Sequence, residues 1–108
     1  MRAALPLLLL VIGCGYPPNK FAGDLAEIKC DQYASCDKLN SFGYSDAEEC
    51  RTEELGALEE KLSSNCDDYD AAAARTCLDD WSALSCEEVQ DSSLHPNCTQ
   101  CGTQDTGL

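Results

Sequence analysis

Asp24-Leu25-Ala26-Glu27-Ile28-Lys29-Cys30-Asp31-Gln32-Tyr33-Ala34-Ser35-Cys36-Asp37-Lys38-Leu39 is the stretch on which the fold turns. Asp24 suits a helix N-cap, because a short carboxylate can accept from the free amides of the first turn. Glu27, three residues on, completes a capping-box-like pattern. Leu25, Ile28, Cys36 and Leu39 recur at spacings of 3, 8 and 3, which share one face of a helix, and Cys30 and Tyr33 broaden that face. A first helix is therefore expected to start at Asp24.

Reading outward, Asn40-Ser41-Phe42-Gly43-Tyr44 breaks the period and marks a turn. Ser45 with Glu48 forms a second capping-box match. Asp46, Glu48 and Glu49 crowd the turn that follows, where the helix dipole favours negative charge. Leu55, Leu58 and Leu62 carry the second helix inward, and Gly56 weakens it by about 1 kcal/mol relative to Ala. Its other face, Glu53, Glu54, Glu59, Glu60 and Lys61, reads as solvent-facing.

Ser63-Ser64-Asn65-Cys66 ends that helix, and Asp67, Asp68 and Asp70 open a third through Ala71–Arg75. Ala74, Cys77, Leu78, Trp81 and Leu84 line one of its faces. Ser85 with Glu88 is a third capping box and predicts a short helix from Cys86 to Val89. From Asp91 onward Ser, Pro, Asn and Gly read as a tail pinned only by Cys98 and Cys101. Neither strand-like alternation nor a strong internal repeat is visible. The expected fold class is all-α: a small disulfide-stapled bundle of three helices, a short fourth helical turn and an irregular C-terminal tail.

The bulk numbers agree. The chain has 108 residues, enough for one domain, with 7 Lys plus Arg against 20 Asp plus Glu and a net charge of −13. Phosphate binding needs a basic surface, so nucleic acid is not expected as a partner, whereas a basic protein would suit this charge. Nine cysteines in so short a chain is the density of a disulfide scaffold in an oxidising compartment. Large apolar side chains are few, and a core this thin needs staples. Nine is odd, however, so one cysteine needs a separate explanation.

The N-terminus supplies it. Met1-Arg2-Ala3-Ala4-Leu5-Pro6-Leu7-Leu8-Leu9-Leu10-Val11-Ile12-Gly13-Cys14 has one positive charge, then an apolar run too short to span a bilayer, then a small residue. This is signal-peptide grammar, and Val11-Ile12-Gly13-Cys14 resembles the lipobox of bacterial lipoproteins. The resemblance implies cleavage before Cys14 and diacylglycerol on its thiol, usually with acylation of the new amino group. Cys14 is thus the expected lipidation residue, and the Cys14 acyl chains would be the link to membrane lipid. Cys30, Cys36, Cys50, Cys66, Cys77, Cys86, Cys98 and Cys101 remain, an even set suited to four disulfides. Residue 15 is Gly rather than Asp, which by the same resemblance points to the outer rather than the inner membrane. The expected organisation is a signal peptide at 1–13, a lipidated N-terminus and tether at 14–23, and a disulfide-rich helical domain at 24–108. Pro17 and Pro18 favour extended backbone in the tether.

From Cys30 to Cys101 the layout resembles the small cysteine-rich lipoproteins frequent in myxobacteria and related bacteria. The resemblance rests on Cys30, Tyr33 and Cys36, on Tyr69-Asp70-Ala71-Ala72 leading into Cys77-Leu78, on Leu84-Ser85-Cys86, and on Pro96-Asn97-Cys98 with Cys101. It implies a helical, disulfide-bonded exported domain and brings no catalytic residue with it.

Cys98-Thr99-Gln100-Cys101 is a C-x-x-C, but Pro96 and Gly102 place it in a loop rather than at the helix N-terminus that redox chemistry wants. Cys86, Cys98 and Cys101 could supply three thiolates to zinc, in competition with disulfide formation. His95, the only histidine, reads as a surface loop residue. Asp67, Asp68 and Asp70 read as helix-start acids rather than calcium ligands. Asn97-Cys98-Thr99 fits a glycosylation sequon that would matter only in a eukaryotic secreted protein. No catalytic residue, metal or cofactor is expected. The expected role is a non-enzymatic binding or structural module of the cell envelope, held by lipid. The alternative is a secreted disulfide-rich effector or inhibitor without lipid.

Eight cysteines allow on the order of a hundred pairings. Antiparallel packing across the Asn40–Tyr44 turn predicts Cys36–Cys50. Contact between the first and third helices predicts Cys30–Cys77. Cys66 and Cys86 then each take one of Cys98 and Cys101, with local bridges such as Cys86–Cys98 or Cys77–Cys86 as alternatives.

Overall fold

The computed structural model describes residues 15–101; the segment read as a signal peptide, Cys14 and the residues after Cys101 lie outside the described residues. Among the described residues every regular element is helical: α1 (Pro18–Ser35), α2 (Ala47–Asn65), α3 (Ala71–Ser82) and α4 (Cys86–Gln90). Two 3₁₀ turns, Asn40–Phe42 and Ser92–Leu94, punctuate the connections. The expected class holds: three helices, a short fourth and an irregular C-terminal region, joined by four disulfides.

α1 starts six residues earlier than Asp24, so the stretch read as a tether is in part helix. Pro17 occupies the N-cap in extended conformation and Pro18 the first helical position. There a missing amide costs nothing and the fixed φ is already helical. The prolines therefore open the helix instead of excluding it. Asp24 lies inside α1, where it accepts from the Tyr16 hydroxyl at 2.7 Å and pairs with Lys20 at 3.2 Å. The helix stops at Ser35, and Asp37 turns the chain in the left-handed region at φ 58°. Cys36 is the C-cap and Leu39 lies beyond the helix.

α1 is the central element, packed by α2, α3 and α4. Its buried face is correspondingly wide: Phe21, Ala22, Leu25, Ala26, Lys29, Cys30 and Tyr33. Ala22 and Ala26 are small enough to let neighbouring backbones approach. The fully buried side chains around this face include Trp81 from α3, Val89 from α4 and Cys50 from α2.

The caps refine the sequence reading. α2 is capped one residue later than expected: the Asp46 side chain accepts from the Glu49 amide at 2.8 Å, and Glu49 reaches back to the amide and hydroxyl of Ser45 at 2.7 Å each. Of the three acids before α3 only Asp70 caps it, accepting from Ala72 and Ala73. α3 ends at Ser82, leaving Leu84 outside the helix. Ser85 and Glu88 form the full reciprocal box at α4.

The disulfides are Cys30–Cys50, Cys36–Cys86, Cys66–Cys101 and Cys77–Cys98. Cys66 does bond to the C-terminal pair. The expected Cys36–Cys50, Cys30–Cys77 and Cys86-to-tail bridges are not formed. The reason lies in the connection from α1 to α2. Phe42 stacks on Tyr33 with ring centroids 4.3 Å apart, so the chain folds back along α1 before α2 begins. Cys50 then bonds at the level of Cys30, six residues or about 9 Å along α1 from Cys36. Cys36 is left at the end of α1, where the start of α4 meets it.

Candidate functional site

One end of the bundle carries the first described residues, Gly15 and Tyr16, which follow Cys14 in the sequence. Tyr16 is buried there. Its ring meets Phe21 edge-on at 6.4 Å, and both Lys20 and Arg75 lie over it, at 6.0 and 5.1 Å. The Tyr69 hydroxyl donates to the Tyr16 carbonyl at 2.9 Å. Burial, and then the hydrogen bond to Asp24, pushes the Tyr16 phenol well above its ordinary range. Tyr16, Phe21 and Ala22 thus lie in the core, and residues 18–23 of the span read as a tether are helical. Beside it an open groove is lined by Gly15, Tyr16, Pro17, Pro18, Tyr69 and Ala71.

The other concentration of polar chemistry lies in the middle of the bundle. Lys29 on α1 and Glu54 on α2 form an ion pair at 2.8 Å, with side chains only 11% and 15% exposed. Glu54 is therefore not on the solvent face where the sequence put it. Tyr44 donates to the Glu54 carboxylate at 2.6 Å, and the Lys29 ammonium lies 5.1 Å from the centre of the Trp81 ring. Burial, with Glu54 adding to it, raises the phenols of both Tyr33 and Tyr44.

Aromatic rings enclose this pair. Tyr33 stacks on Phe42 and meets Trp81 edge-on at 6.3 Å, and His95 lies 4.6 Å from Trp81 and 5.9 Å from Phe42. His95 is half-buried rather than a surface residue, and its Nε2 donates to the Val89 carbonyl at 2.7 Å. A carbonyl can only accept, so the imidazole proton sits on Nε2. Gln32 on α1 donates to the carbonyls of Trp81 and Leu84 at 2.7 and 3.3 Å, fastening the end of α3. No hydroxyl or thiol nucleophile is placed beside His95 by any hydrogen bond among the described residues.

The C-terminal region is held more firmly than two cysteines alone would hold it. The Asp70 amide donates to the Gln100 carbonyl at 2.7 Å, and the Gln100 side chain is fully buried between Cys98 and Cys101. A shallow polar groove of about 340 Å³ separates the start of α3 from this region, lined in part by Asp70, Thr76, Asp80, Asn97 and Thr99.

The cysteines read as a possible zinc set lie in three different disulfides: Cys86 with Cys36, Cys98 with Cys77 and Cys101 with Cys66. Asp67 and Asp68 are exposed and Asp70 is a cap. Lys29, Glu54, Tyr44 and Gln32 carry no local signal as a group, since Lys29 and Gln32 on α1 find their partners on α2, in the α1–α2 connection and at the end of α3. A lysine within the apolar face of α1 was the one visible hint. Lipidation at Cys14 falls outside the described residues. Comparison of the chain with protein-family models, with curated proteins and with solved structures found no match to any of them.

Proposed function

We propose that the protein is a lipid-anchored module of the bacterial cell envelope, exported, cleaved before Cys14 and attached through acyl chains on that cysteine. The observation that carries the reading is the cysteine arithmetic. All eight cysteines after Cys14 pair with one another, which leaves Cys14 as the single cysteine outside the framework, at the end of Val11-Ile12-Gly13-Cys14. Each buried methylene contributes about 0.8 kcal/mol, so two or three chains hold the protein without any membrane-binding surface of its own. Gly15 in place of Asp favours the outer membrane. The resemblance to the small cysteine-rich lipoproteins of myxobacteria fits this placement.

On this reading the domain is a non-enzymatic binding or structural part, and the net charge of −13 suits a basic protein partner rather than an anionic one. Metabolic labelling with a radioactive fatty acid, combined with intact mass spectrometry, tests the proposal. The wild-type chain should carry label and begin at Cys14, and Cys14→Ser should carry none. Absence of label from both forms would overturn lipidation and favour a secreted disulfide-rich effector.

A further inference from the structure

The four disulfides differ in how deeply they are buried. Cys30 and Cys50 are both 0% exposed, and Cys77 and Cys98 are 2% and 3% exposed. Cys66 is half-buried, with its partner Cys101 at 6%. Cys36–Cys86 alone has an exposed cysteine, Cys86, and a half-buried one, Cys36. A disulfide is reduced by a thiolate that must reach one sulfur, so access decides which opens first.

What this bridge holds is a strap. The chain between Leu84 and Cys98 carries α4 and the second 3₁₀ turn, and it lays Val89 and the His95 ring over the Trp81 side of the core. Both ends of the strap are fixed independently of Cys36–Cys86. Gln32 holds the Trp81 and Leu84 carbonyls at one end, and the buried Cys77–Cys98 bridge holds the other. α4 is five residues long, too short to persist as a helix without its docking.

We infer that Cys36–Cys86 is a redox latch: its selective reduction frees the 85–97 strap and uncovers Trp81, while the α1–α2–α3 bundle stays folded under the other three disulfides. The reductant is a dithiol. Its thiolate attacks the sulfur of the exposed residue Cys86, forming a mixed disulfide and expelling Cys36 as a thiolate that takes up a proton. The second thiol of the reductant then closes on the first and releases Cys86 as a thiol. The latch gains two electrons and two protons, and the dithiol is oxidised to a disulfide.

The experiment is a graded reduction of the full chain by dithiothreitol, with alkylation, peptide mapping, tryptophan fluorescence and far-ultraviolet circular dichroism on each sample. Because Cys36–Cys86 is the one bridge with an exposed cysteine, Cys36 and Cys86 should be alkylated at least about tenfold faster than the remaining six. Trp81, the chain's one tryptophan, should shift its emission to the red at that stage, with the helical signal retained. The double variant Cys36→Ser/Cys86→Ser should show the shifted emission without reductant. The inference is overturned if another bridge opens first or together with this one, or if the latch opens with unchanged emission. It is equally overturned if the double variant loses its helical signal, since the strap would then be part of the fold.

Discussion

At the scale of single residues the most consequential contact is one with no local sequence signature. Lys29 sits in the apolar face of α1 because Glu54, itself bonded by Tyr44, meets it there. A buried pair of this kind contributes little net stability over an apolar pair, but removing one partner leaves an uncompensated charge, at a cost of about 3 kcal/mol or more. Lys29→Met should therefore destabilise the protein by about 3 kcal/mol. Lys29→Met/Glu54→Gln should recover much of that loss, because the amide keeps the Tyr44 hydrogen bond without the charge. Chemical denaturation midpoints of the two variants check this; a single variant as stable as wild type would show that the pair is solvated in solution.

At the scale of elements, local signals and packing divide the work. The Ser85/Glu88 box was legible because a cap is made within three residues of its own helix, whereas the sequence offered three helix-start acids of which only Asp70 caps α3. The start of α1 was misplaced because a proline pair serves equally in an extended tether and in the first turn of a helix. Burial of Phe21 and Ala22 against the rest of the bundle selects the helix. α2 contains an element-level weakness that is independent of packing. Gly56 is exposed in its interior, and a Cβ there would meet nothing within 4 Å. Gly56→Ala should therefore raise stability by about 1 kcal/mol through backbone entropy alone, seen as a higher thermal midpoint. A decrease would mean that α2 is bent or frayed at that point.

For the molecule as a whole, the thin core leaves the four disulfides, at about 2–4 kcal/mol each, with a large share of the stabilisation. It also leaves all four tyrosines half-buried or buried. Burial raises the phenol of Tyr16, Tyr33, Tyr44 and Tyr69 above the ordinary 10.0, with Arg75 opposing the rise at Tyr69. A group whose folded pKa is raised contributes stability fully present below its unfolded value and lost as pH climbs toward the folded one. The contribution of the tyrosines should thus be constant up to about pH 10 and fall above it. In a spectrophotometric titration, tyrosinate absorbance should appear together with loss of the helical signal. Titration of most of the tyrosines near pH 10 in a folded chain would refute this.

The amino-acid sequence by itself determined the all-helical class, the existence of the three long helices and the short fourth, the cap at α4 and the disulfide character of the chain. Each of these is set by residues within one or two turns of one another, or by composition. The tertiary structure alone decided which cysteines meet, and it turned Glu54 and His95 inward. It also seated Tyr16 in the core. Those outcomes depend on the path of the chain between helices. Phe42 folds back onto Tyr33, so the chain returns along α1 before α2 begins. With that return Cys50 meets Cys30 rather than Cys36, and Cys36 meets Cys86. No spacing in the sequence encodes a contact made by packing two rings across a turn.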